Sequence, residues 1–70
     1  MIGDGKGITQ VINYYVITKN TSLNGNEDWD TTPQPPTKDK PYLWNYEATT
    51  YSDDEVVNTD PAIIGVFQEG

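Results

Sequence analysis

Trp29 is the side chain of this sequence whose type and setting most invite contact with another molecule. It stands in the acidic stretch Asn24-Gly-Asn-Glu-Asp-Trp-Asp30, between Asp28 and Asp30 and outside any alternating pattern. Sugar-binding surfaces use exposed Trp and Tyr faces as platforms, so Trp29, Asp28 and Asp30 are the candidate ligand contacts. The competing reading makes Trp29 a lid over a small core, which needs large side chains to cover it. The same stretch offers oxygen atoms at alternate positions, as calcium loops do. An EF-hand requires glycine at its sixth position and glutamate at its twelfth. Counting from Asn24 gives Trp29 and Pro35, and counting from Asn26 gives Thr31 and Thr37, so both registers fail. No metal site is assigned, and Asp53-Asp54-Glu55 reads as a charged turn.

The residues for catalysis are missing or misplaced. The chain has neither histidine nor cysteine. Nucleophilic catalysis therefore lacks its usual base and thiol, and a transition metal lacks its commonest ligands. Gly3, Gly5 and Gly7 around Lys6 suggest a phosphate loop, but Gly7-Ile8 follows Lys6 where a Walker motif has Ser or Thr opening a helix. Glycosidase chemistry needs two carboxylates facing each other across a walled cleft. Here the acids fall mostly in loops and turns. The expectation is a non-enzyme without cofactor.

Charge and length narrow the partners. Seventy residues carry eleven acids and four lysines, a net charge of −7. Nucleic acid and anionic membranes both call for a cationic surface, so neither is an expected partner. No apolar run reaches the ~20 residues of a membrane-spanning helix. One domain of this size buries only ~60% of its unfolded surface, and no disulfide staples it. Such a module leans on neighbouring domains or on other copies. Asn20-Thr21-Ser22 matches a glycosylation acceptor, which would be idle in a bacterial or phage protein.

Strands must position these residues. Residues 1–7 read as a glycine-rich linker, 8–67 as a single β-domain and 68–70 as an exit linker. Ile8 to Thr18 is rich in β-branched and aromatic residues and has no helix caps, which predicts a first strand. Ile12, Tyr14 and Val16 share one face of it, and Val11, Tyr15 and Ile17 share the other. Two apolar faces imply cover on both sides or a bulge. Asn24-Gly25 predicts a turn. Thr31 to Pro41 holds four of the five prolines and predicts an extended crossing. Tyr42 to Tyr51 is the clearest strand, with Tyr42, Trp44, Tyr46, Ala48 and Thr50 as the core face. A turn at Ser52 to Glu55, a returning strand over Glu55 to Thr59, a break at Asp60-Pro61 and an extended Ala62 to Phe67 complete the domain. The fold class is all-β: a small antiparallel sheet, or a reduced fibronectin-III-like sandwich, of three to five strands.

One ordered series of motifs goes further. Trp29-Asp-Thr-Thr-Pro33, Tyr42-Leu-Trp-Asn-Tyr-Glu47, Thr50-Tyr51 with its acidic turn, and Thr59-Asp-Pro61 leading to Ile64-Gly65 run along the C-terminal two thirds. The Gly3-Asp-Gly-Lys-Gly7 lead-in and the Tyr14-Tyr15 pair precede them. The series resembles a small repeated β-domain of tail, tail-tip and fibre proteins from phages and prophages of Gram-positive bacteria. The resemblance covers nearly the whole chain. It departs at the lead-in, whose glycines alternate by two where collagen repeats by three. It also departs at Ser52-Asp-Asp-Glu55, where a glycine would be expected. The resemblance implies a non-catalytic spacer or display module, located in the virion and contacting neighbouring domains of the same tail protein. The alternatives are a module that recognises host cell-wall carbohydrate, or a repeat of a bacterial surface or secreted adhesin.

Overall fold

A computed structural model describes residues 7–69. Most of the glycine-rich lead-in and Gly70 lie outside them. The described residues form one four-stranded antiparallel sheet: β1 (Ile8–Thr18), β2 (Tyr42–Tyr51), β3 (Val56–Asn58) and β4 (Ala62–Val66). The fold is all-β, and what forms is a single sheet. Strand β2 lies at its centre. Strand β1 pairs along one side of it from Ile8↔Tyr51 to Thr18↔Tyr42. On the other side β3 pairs with Ala48–Thr50 and β4 with Tyr42–Asn45. Strands β3 and β4 thus share one edge, parted where Pro61 has no N–H to donate to a ladder.

The register puts the aromatics together. Val16 lies opposite Trp44, Tyr14 opposite Tyr46 and Ile12 opposite Ala48, all on one face, because directly paired residues point the same way. Ile63 flanks Trp44 from the far side. Trp44 and Val16, at 7% and 9% exposure, are the buried hydrophobic residues among those described. The Trp44 indole N–H donates to Thr18 Oγ1 at 2.7 Å, which satisfies the polar end of a buried ring. On the opposite face the Asn45 amide donates to Asn13 Oδ1 at 3.3 Å and to the Tyr14 carbonyl at 3.1 Å. That polar pair fixes the register of β1 and β2 at mid-length.

Hairpin β2–β3 shows how a turn forms where glycine was expected. The Asp54 N–H donates to the Tyr51 carbonyl at 2.9 Å, and the Tyr51 N–H donates to the Glu55 carbonyl at 2.8 Å. Asp54 takes the left-handed conformation, φ 69°. This is the three-residue loop with a bulge, in which the last position favours glycine. Asp53 Oδ1 accepts the Glu55 N–H at 3.0 Å and supports the turn with its side chain. The returning strand is shorter than the sequence suggests, Val56–Asn58, and β4 ends at Val66.

The long connection 19–41 wraps around the edge of β1. Its first part lies over the aromatic face, where Trp29 meets Tyr46. At Asp30 it reaches the free side of β1. The Tyr15 N–H donates to the Asp30 carbonyl at 2.6 Å, and the Asp30 N–H donates to the Tyr15 carbonyl at 2.9 Å. It then passes to the other face, where Pro36 lies over Leu43 and Gly65; a β-carbon placed on Gly65 would sit 3.8 Å from Pro36 Cγ. The connection therefore lies over both faces of the β1–β2 pair at the Thr18–Tyr42 end, while Ile63, Ile64 and Val66 of the neighbouring β4 stay exposed. Cover on both sides explains the two-sided apolar character of β1, which also carries a bulge between Ile8 and Gln10. The opposite end is bare, and Ile8, Val11, Val56 and Val57 stand about half exposed. The molecule is correspondingly long, 54 × 24 × 16 Å with a radius of gyration of 15.4 Å. A compact chain of this length would have about 11 Å.

Candidate ligand-contact site

The candidate site is built on the core face by three rings. Tyr14 and Tyr46, facing each other across β1 and β2, stack at 5.0 Å with 20° between their planes. Trp29 approaches Tyr46 at 4.8 Å and 88°, an edge-to-face contact. These are the favoured geometries for aromatic pairs, each worth ~0.5–1.5 kcal/mol beyond area burial. Trp29 is held there because its neighbour Asp30 is pinned to β1 through two backbone hydrogen bonds. The indole is half-buried, so it closes the core and still offers surface to solvent.

Next to these rings lies a groove of about 310 Å³, at the small end of the ~300–1,000 Å³ range of ligand pockets. Trp29, Tyr46, Leu23 and Pro61 give it mostly apolar walls, and Glu27 and Asn58 bring polar atoms to it. It opens where the 23–29 segment passes the gap between β3 and β4.

Local hydrogen bonds fix Glu27. Its carboxylate accepts the Asn24 N–H at 2.7 Å and the Gly25 N–H at 3.1 Å. Asn24 Oδ1 accepts the Asn26 N–H at 2.8 Å, and Gly25 has φ 90°, so the expected Asn-Gly turn forms with a carboxylate locked into it. The Asn24 N–H holds Glu27 below the ordinary glutamate value; partial burial pushes the other way, and the backbone N–H groups of Glu27 and Gly25 add to the lowering. Glu27 is thus an ionised, oriented group beside two aromatic rings.

The three sequence candidates part company. Trp29 lines this groove. Asp28 lines a neighbouring polar basin of about 480 Å³ together with Lys19, Asn20, Asn26 and Lys40, and Glu27 borders both cavities. Asp30 stays exposed at the sheet edge, with its Oδ1 accepting the Thr32 N–H at 3.1 Å. The acid beside Trp29 in space is Glu27, two residues away in sequence. A carboxylate three residues after Asn24 in a turn was the available signal, since it can reach back to the turn's free N–H groups. Asn58 and Pro61 reach the groove through strand pairing, which no local pattern encodes. Among the described residues no group of three or more acids could hold a metal ion. No helix there is long and apolar enough to cross a membrane.

No family model, no curated protein and no solved structure matches this chain.

Proposed function

We propose that this chain is a non-catalytic structural module, a spacer or display unit in a phage tail or tail-fibre protein, contacting neighbouring domains of the same protein. The half-covered sheet carries this reading. The 19–41 connection passes over both faces of the β1–β2 pair at one end, while Ile8, Val11, Val56 and Val57 at the other end, and Ile64 and Val66 on β4, stand in solvent. Strand residues of this kind are spent in water unless another surface meets them, and clustered exposed apolar side chains commonly mark protein contacts. The elongated 54 Å shape suits a bead in an extended chain. The order of motifs described above supplies the tail context. Immunogold labelling with antibodies raised against the 70-residue chain tests it on purified particles and on the bacterial wall. Gold on the tail is the expected result. Bare particles with a labelled wall would replace this reading with a surface adhesin.

A further inference from the structure

We propose that the groove between Trp29, Tyr46 and Glu27 binds a small organic cation, an alkylammonium group such as a quaternary ammonium or a lysine-like amine. This assignment is independent of the tail reading and rests on the lining of the groove. Trp29 and Tyr46 meet at 88°, so their surfaces form a corner and not a flat platform. Aromatic faces attract cations through the ring quadrupole, and Trp does so best. Glu27 lines the same groove, with its carboxylate oriented by the Asn24 and Gly25 N–H groups. Among the described residues no lysine lines it; Lys19 and Lys40 line the neighbouring basin, which shares Glu27 with the groove.

The remaining walls choose among ligands. Leu23 and Pro61 suit methyl and methylene groups. A sugar needs hydrogen-bond partners around its whole rim, and the groove walls are mostly apolar; beyond Glu27 the side chains offer Asn58, the Tyr46 hydroxyl, the Trp29 indole N–H and the Thr59 hydroxyl, which already accepts the Glu47 N–H at 2.8 Å. An anion would meet the Glu27 charge inside a protein of net charge −7. That net charge draws cations toward the molecule as a whole. A charged head within an apolar shell, which is what an alkylammonium group is, matches the corner, the carboxylate and the alkyl-lined walls together.

Two indole N–H groups make the test internally controlled. In an amide-and-indole NMR spectrum, Trp29→Phe identifies the Trp29 cross-peak by its loss. Titration of the unmodified chain with tetramethylammonium chloride should shift that peak saturably, with a Kd on the order of 10 mM for one cation–π corner and one exposed charge. The Trp44 peak, hydrogen-bonded to Thr18 in the core, should stay in place. Sodium chloride at equal ionic strength and the neutral analogue tert-butanol should not reproduce the shift. Glu27→Gln should weaken binding about tenfold, or 1.4 kcal/mol. Asn58→Lys, at an exposed position on the groove wall, should do the same without touching the Glu27 turn. Equal response to tert-butanol, persistence of binding in Asn58→Lys, or a shift with methyl glucoside in place of tetramethylammonium would each overturn the assignment.

Discussion

At the scale of residues, Trp29 and Glu27 decide how the loop sits on the sheet. Trp29 acts as a half-buried cover whose contact is with one ring, Tyr46. Trp29→Ala should lower stability by about 1–3 kcal/mol, the sum of an aromatic pair and partial burial. Urea denaturation reads this directly; an unchanged midpoint would mean the indole is a free platform and no lid. Glu27 contributes through its ionised form. Its folded-state pKa is lowered, so its contribution is present above the unfolded value and is lost as pH falls through the folded one. Acidification from neutral should therefore loosen the Asn24–Glu27 turn below the ordinary carboxylate range. Amide exchange at Asn24 and Gly25 should rise there, and should be pH-independent relative to the global fold in Glu27→Gln.

At the scale of elements, the two long strands and the hairpin return onto β2 were legible in the sequence, while the pairing of β1 and β4 with β2 was not. Ile8 to Thr18 and Tyr42 to Tyr51 match β1 and β2, because β-branched and aromatic residues predominate there between stretches rich in glycine, proline and acids. The Trp44 face was legible for the same reason: alternation fixes which residues share a side. The wrap of 19–41 around β1 was not, since it depends on Asp30 bonding Tyr15 across a distance that leaves no periodic trace. Groove residues Asn58 and Pro61 were hidden likewise, brought in by the β2 ladder. Two predictions belong here. Trp44→Ala removes the main buried ring and its hydrogen bond to Thr18 Oγ1, and should cost about 3–5 kcal/mol, enough to unfold the isolated chain. Circular dichroism would show loss of a cooperative melt. Asp54→Gly should raise the melting temperature, because glycine occupies φ 69° without the side-chain penalty. A fall there would mean that the Asp54 side chain makes a contact worth more than that penalty.

At the scale of the whole molecule, the β1–β2 pair has one half wrapped and one half open, and the two edges of the sheet are managed differently. The β3–β4 edge is broken at Pro61 and bulged opposite Leu43–Trp44, devices that discourage unwanted pairing. The β1 edge is occupied at Tyr15 by Asp30. The wrap also separates β1 from β2 in sequence, and this sets an order of assembly. Strands β2, β3 and β4 are joined by short links and can find one another quickly. Strand β1 must wait for the closure of a long loop, which delays non-local pairing. Ile63→Ala should accordingly slow refolding, whereas Val16→Ala should mainly speed unfolding, in stopped-flow denaturant jumps. Equal effects of both on the refolding rate would point to a concerted nucleus. During synthesis β1 leaves the ribosome before the other strands and is then the last to join the sheet, and its uncharged stretch Ile8 to Asn13 stays unpaired until its partners Glu47 to Tyr51 have emerged.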